Sequence, residues 1–305
     1  MCSLRESYFE SRNINVYLFK SEMYNIIVIE KILIPTDGYG LEDHVIKYVA
    51  KAFPYAEFHV ISVVNTCERG VQLTSLLYKE MHEAAEKAIE RAKDILKKEK
   101  IEDGRIKSRI IEGLPSREII KCARKRDVDL VAMRVYSRKS TASAQRIGST
   151  LKNVVSKCRI PVLTLAEECE KLPIRKILFP TDGSRKAERA KNFAIVFASY
   201  YKASIETLYV MDGKREHAEE LLKNVEWKAS FLNVKVEKAI EEGDVAEKIL
   251  EYAKKNDLII IGVGRKFAHL HYVGHVTKAV ITHSPVPVIS VHYLKRRWEK
   301  RLQAK

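Results

Sequence analysis

Two residue pairs in this chain stand where chemistry can be done: Thr36 with Asp37, and Thr181 with Asp182. Each pair follows a proline, Pro35 or Pro180, and precedes a glycine, because the octapeptide KILIPTDG at 31–38 returns as KILFPTDG at 176–183. A hydroxyl and a carboxylate at such a position can hydrogen-bond a polar ligand. The same Asp can equally cap the helix that follows, and the residues alone leave both readings open. Catalytic signatures are missing: the sequence has no GxxxxGK[ST], no G-x-S-x-G and no metal set with its general base, so a binding module is expected rather than an enzyme. Slow hydrolysis of a bound ligand stays open.

The elements that must position these pairs can be read from periodicity. Each octapeptide opens with Lys and an apolar run too short for a helix, then Pro, Thr, Asp and Gly stop the run and turn the chain. That is the pattern of a buried strand whose carboxyl end delivers Thr and Asp into a loop. Around the first copy the sequence predicts a strand at 32–34, a helix at 42–53 stopped by Pro54, and a strand at 57–64. A long charged helix follows at 73–100, with one apolar stripe that includes Leu76, Leu77 and Met81. Then come a strand at 106–112, a helix from Ser116 to about 125, a strand at 129–133, a helix at 148–157 and a strand at 161–165.

After a polar linker at 166–175 the same order returns. GLPSREIIKCARK at 113–125 matches GDVAEKILEYAKK at 243–255, and IPVLTL at 160–165 matches VPVISV at 286–291. The chain is an internal duplication, divided into an extension at 1–22, domains at 23–168 and 174–292, and a basic tail at 293–305. Strands apolar on both faces that alternate with helices call for an α/β fold, with parallel, doubly wound sheets covered on both sides. Right-handed crossovers put the strand carboxyl ends, and with them both PTDG turns, on the edge where open sheets bind ligands.

Composition narrows the class. With 46% hydrophobic and 31% charged residues the chain is globular. Five scattered cysteines without a CxxC pair suggest neither a disulfide framework nor a zinc site. No run approaches the roughly eighteen apolar residues of a membrane span, and Glu6, Glu10, Arg12 and Glu22 stand where a signal peptide needs an apolar core. A cytoplasmic location is expected. The formal net charge is +15, and the tail supplies six Lys/Arg less Glu299, or +5, of it. Such a tail reads as a solvated end, or as a nonspecific attractor of nucleic acid or anionic lipid.

Taken in order, the motifs resemble the universal stress protein family in its tandem form, over about 23–292. The features are the PTDGS-like turn, the Gly-led turn before helix three, the Asp-Leu start of strand four, the Gly-bearing loop before helix four and the Pro-Val final strand. The resemblance implies five-stranded sheets of order 3-2-1-4-5, of the adenine-nucleotide-binding type. It also implies final strands that pair the halves as an internal pseudo-dimer, or pair two chains as a homodimer. Its implied function is a stress-response module that binds ATP or AMP, with or without Mg, in one or both domains. The alternatives are a degenerate scaffold without nucleotide, and a basic binder of nucleic acid or an anionic membrane surface.

The resemblance carries positions with it. In nucleotide-binding relatives the loop after strand four looks like GxxG, nine residues, then G[ST]; its glycines let backbone N–H groups approach phosphate, and its last pair opens a helix. In the first half Met133 ends strand four, Arg134 and Ser137 replace the two glycines, and Gly148, Ser149 and Thr150 remain. Arg134, Arg138, Lys139 and Arg146 either hold phosphate by side chains or form a solvated basic loop. In the second half Gly262 lies one position nearer than GxxG requires, while Gly264 and Gly274 keep their spacing. Arg265 matches a basic residue common there, and His275, followed by Val276, replaces the Ser/Thr.

Thr36-Asp37 and Thr181-Asp182 match positions that contact adenine or ribose, and Val63 and Val210 match the residue whose backbone meets adenine. The better-kept glycines favour the second half as the site that holds nucleotide. His269, His271 and His275 lack a Cys or carboxylate partner for a metal, and read better as groups that make anion binding pH-dependent.

Overall fold

A computed structural model of the chain describes residues 29–37, 42–67, 74–136, 147–211, 215–264 and 273–292. The extension 1–22, the tail 293–305, Ser137, Arg138, Lys139, Arg146, Arg265, His269 and His271 lie outside the described residues.

The first half runs β1 (Lys31–Thr36), α1 (Asp43–Ala52), β2 (Glu57–Val64), α2 (Ser75–Lys98), β3 (Ile106–Glu112), α3 (Pro115–Lys125), β4 (Leu130–Arg134), α4 (Ser149–Lys157) and β5 (Val162–Leu165). The second half repeats it as β6 (Lys176–Pro180), α5 (Arg185–Tyr201), β7 (Ser204–Met211), α6 (Arg215–Ser230), β8 (Val236–Glu242), α7 (Val245–Ala253), β9 (Leu258–Gly262), α8 (His275–His283) and β10 (Val288–Val291).

The strands lie in the order β3-β2-β1-β4-β5-β10-β9-β6-β7-β8. Each half has the order 3-2-1-4-5, with parallel neighbours. The halves meet through one antiparallel pair, β5 with β10, in which Leu163 lies opposite Ile289. The Thr164 hydroxyl donates to the Val288 carbonyl across that seam at 3.2 Å. Two five-stranded sheets therefore join edge to edge, and the join covers two edges that would otherwise expose unpaired backbone groups.

The central strands are short and apolar because both of their faces are buried: Ile32, Leu33 and Ile34 are fully enclosed, as are Ile177, Leu178 and Phe179. One face packs against α1, α2, α5 and α6, and the other against α3, α4, α7 and α8. Both apolar layers run through the two halves. On the first, Phe53 at the end of α1 meets Phe197 and Tyr201 of α5 edge to face, with centroids 6.4 and 5.7 Å away.

The Asp that precedes strand four has a structural task in both halves. Asp129 Oδ2 accepts from the Glu30 and Lys31 amides at 3.1 and 2.9 Å. Asp257 Oδ2 does the same for Arg175 and Lys176 at 2.8 and 2.9 Å. These carboxylates pin the amino ends of β1 and β6, and so fix how far each central strand carries its Thr and Asp toward the opposite edge.

Candidate functional site

At the carboxyl edge of the first half, β1 ends at Thr36 and β4 ends at Arg134, the point where the crossover connections diverge to opposite sides. A cleft of about 720 Å³ opens there, within the size range of small-molecule sites. Its floor is made by Thr36, Asp37, Val63 and Met133, and Gly148, Ser149 and Thr150 line it at the start of α4. Leu77, Met81, Ala84 and Ala85 of α2 form an apolar wall.

That wall explains a departure from the sequence reading of α2. Its buried stripe on the sheet begins at Ala85, Leu77, Met81 and Ala84 are half-buried over the cleft, and Leu76, expected in the stripe, is 66% exposed. The helix reaches past the sheet, so its first apolar turns enclose space rather than core.

The polar groups of the cleft are interlocked. Arg134 Nη2 lies 3.1 Å from Asp37 Oδ2, tying the ends of β4 and β1. Glu42, the residue that precedes α1, turns inward and is 4% exposed. Its Oε1 accepts from the Thr36 hydroxyl and, at 3.2 Å, from the Asp37 amide. Its Oε2 is buried and has no hydrogen-bond partner among the described residues. Burial, reinforced by the neighbouring Asp37 charge, outweighs the Thr36 hydrogen bond and raises the Glu42 carboxyl above its ordinary value.

The loop between β4 and α4 is closed at its base. Tyr136 bridges Ile147 in antiparallel fashion, and the Gly148 amide donates to the Val135 carbonyl at 3.2 Å. Gly148 thereby caps α4, whose first amides point outward without intrahelical partners, a favourable place for an anion. The Tyr136 hydroxyl extends the contact to the second half by donating to the Thr282 carbonyl of α8 at 2.7 Å.

The second half arranges the same motif differently. Asp182 accepts from the Ser184 amide and hydroxyl and pairs with Lys186 at 3.1 Å, while Ser184 caps α5 by accepting from the Ala187 amide. Partial burial pushes the Asp182 carboxyl upward, but the Ser184 hydrogen bonds and the Lys186 charge outweigh it and hold the carboxyl below its usual range. Here the Asp organises the helix start, one of the two roles the sequence left open.

Pro180 is buried, and Thr181 and Val210 are half-buried at the strand ends. Gly262 has a packing reason: a Cβ there would sit 2.4 Å from the Lys186 carbonyl oxygen of α5. Gly264 lies against the Lys186 side chain, where a Cβ would come within 3.2 Å. Gly274 caps α8 with open space around it, His275 is exposed, and Val276 packs in part on the apolar layer.

The first half thus brings Pro35, Thr36, Asp37, Val63, Met133, Arg134, Gly148, Ser149 and Thr150 around one cleft. Of the second-half set, the stretch 265–272 that includes Arg265 lies outside the described residues; the preference for that half rests on Gly264 and Gly274, which flank it. The sequence reading missed Glu42, Leu77, Met81 and Tyr136. An acidic residue at the start of a helix is common for dipole reasons, so nothing in the sequence marked Glu42 as turned inward.

Fold and site together define a duplicated α/β protein whose halves present parallel strand ends and a Gly-capped helix at a topological switch point. The sequence profile of the universal stress protein family matches residues 29–165 and again 173–292. The chain belongs to the universal stress protein family and carries its domain twice.

A universal stress protein of Methanocaldococcus jannaschii is 31% identical over 143 residues, 40% of this chain and 84% of that one. Among solved structures, a universal stress protein of Archaeoglobus fulgidus superposes with a TM-score of 0.69 at 21% identity, covering 86% of this chain and 96% of that one. A functionally unknown protein of Pseudomonas aeruginosa superposes with a TM-score of 0.56 at 15% identity, covering 91% and 98%. At those identities the two structures speak for the fold. No helix among the described residues is long and apolar enough to cross a membrane.

Proposed function

We infer that this stress-family protein binds an adenine nucleotide, ATP or AMP, in the cleft of its first half, and that it acts in the cytoplasm as a nucleotide-responsive binding module rather than a catalyst. One observation carries the reading: an apolar wall from α2, the Asp37 carboxylate and the open amino end of α4 all face the same 720 Å³ space. The wall and Val63 suit a purine ring, Asp37 suits its amine or a ribose hydroxyl, and the α4 amides with Arg134 suit phosphate. Among the described residues no group of three His, Cys, Asp or Glu is placed to hold a metal, so Mg would arrive on the nucleotide and be held through its phosphates.

A second reading is a scaffold that no longer takes nucleotide, and the engagement of Asp37 by Arg134 favours it. Native mass spectrometry of freshly purified protein, followed by calorimetric titration with ATP and AMP, separates the two. Co-purified nucleotide, or saturable heat at one or two sites per chain, supports the inference. Neither ligand nor heat leaves the scaffold.

A further inference from the structure

A group of exposed cations lies on one outer surface of the first half. Helix α3 buries Ser116, Ile119, Cys122 and Ala123, and turns Arg117, Lys121, Arg124 and Lys125 to solvent. Spacings of four, seven and eight residues from Arg117 place all four on one helical face. Helix α4 packs beside α3 on the same side of the sheet, and there Lys152, Lys157 and Arg159 are exposed as well. On the adjoining edge strand β3, Lys107 and Arg109 are exposed. Lys107 pairs with Glu57 and Lys121 with Glu118. Among the described residues no ion pair engages Arg117, Arg124, Lys125, Lys152, Lys157 or Arg159.

The duplication supplies an internal control. β3 and β8 occupy the same register on their neighbours, with Glu112 beside Val64 and Glu242 beside Met211, and the glycines that follow, Gly113 and Gly243, share the same unusual backbone angle, φ +131° and +120°. In that register Lys107, Arg117 and Lys121 correspond to Glu237, Glu247 and Glu251, and Glu118 corresponds to Lys248, so the Lys121–Glu118 pair returns with its charges exchanged as Lys248–Glu251. With that exchanged pair set aside, two reversals, at Lys107 and Arg117, fall on one surface of otherwise matching elements. Folding requires neither sign there, since both halves fold the same way, so the concentration of like charge has no stabilising role. Repulsion among these cations instead costs the folded protein a little.

We propose that the α3–α4 face of the first half, with Lys107 and Arg109 at its rim, is an interaction surface for the phosphate backbone of a nucleic acid. A row of unpaired Arg and Lys on one face matches a linear array of phosphates, and Arg offers each phosphate a paired donor geometry. A membrane surface fits less well, because surface-bound helices pair their cations with an apolar face. Of the large apolar side chains exposed among the described residues, only Leu114 adjoins this one. The surface lies outside the cleft, and the proposal stands independently of nucleotide binding.

The test uses the full chain with a labelled duplex DNA and a labelled RNA hairpin, followed by fluorescence anisotropy over a salt series. The decisive variant is Arg117→Glu with Lys121→Glu, which installs the residue types at the matching positions of the second half, beside a Glu118 where the second half has Lys248. Binding of either probe should weaken at least tenfold in this variant, and the slope of log affinity against log salt should shrink by about 2 on duplex DNA. Arg124→Gln with Lys125→Gln, a milder change, should weaken binding severalfold and serves should the first variant lose its fold by circular dichroism. Preference for one probe over the other identifies which nucleic acid the face reads. The proposal is overturned by wild-type affinity in both folded variants, by loss of all binding on deleting 293–305 alone, or by binding to phosphatidylserine vesicles but to neither probe.

Discussion

Arg134 and Asp37 face each other at 3.1 Å across the mouth of the first-half cleft, so the side chain at the end of β4 is held by the carboxylate at the end of β1. In the proposed complex Asp37 addresses the nucleoside and Arg134 the phosphates. Replacing Arg134 with Gln is expected to weaken ATP about tenfold, some 1.4 kcal/mol, and to leave adenosine nearly unchanged. Asp37→Ala is expected to weaken both ligands. Calorimetry with ATP and adenosine on the two variants distinguishes these patterns, and an Arg134→Gln protein that binds ATP more tightly would show that the arginine blocks the site.

Glu42 makes stability depend on pH. Its carboxyl titrates above the ordinary 4.5 in the folded protein, chiefly because it is buried. Between the unfolded and folded values the native state holds a proton that the unfolded chain has released. The resulting stabilisation is full below the unfolded value and is lost as pH rises through the folded one. Chemical denaturation across mildly acid pH should show this loss, and Glu42→Gln should flatten that part of the profile. The same deprotonation adds negative charge to the cleft, so anionic nucleotides are expected to bind more weakly to the wild type, but not to the variant, as pH rises.

Two glycines of the second half should separate packing from access. Gly262→Ala drives a methyl group against the α5 backbone and is expected to destabilise by about 1–3 kcal/mol. Gly274→Ala meets nothing within 4 Å at an ordinary φ of −58°, and should cost no more than about 1 kcal/mol, from the preference for glycine over alanine at a helix cap. Paired denaturation curves read both.

Tyr136 joins the first cleft to the second half through the Thr282 carbonyl. Tyr136→Phe keeps the ring and removes the hydrogen bond, at an expected cost of about 0.5–1.5 kcal/mol. Hydrogen exchange should report the loss at the end of α8 as well as in the loop base around Ile147. Protection unchanged in α8 would mean that this bond does not couple the halves.

Much of the fold could be read from the chain because its signals are local. The apolar runs before each PTDG and the proline that stops α1 act within a few residues of where they are written. The candidate site was less legible, since its residues act across the fold. Glycine shows why: Gly262 and Gly274 look alike in sequence, yet one admits a helix backbone and the other opens a helix end, and both uses need only a missing side chain.

By itself, then, the sequence determined the duplication, the alternation of strand and helix in each half, and the delivery of Thr36-Asp37 and Thr181-Asp182 to strand ends. Hydrophobic periodicity and turn chemistry are properties of short segments, and they survive without knowledge of what packs on what. Only the tertiary structure decided that Glu42 turns inward beneath Thr36, that α2 walls a cleft with residues that read as core, and that α3 and α4 gather their cations on one face. Those outcomes depend on distances between segments far apart in the chain, which no local pattern encodes.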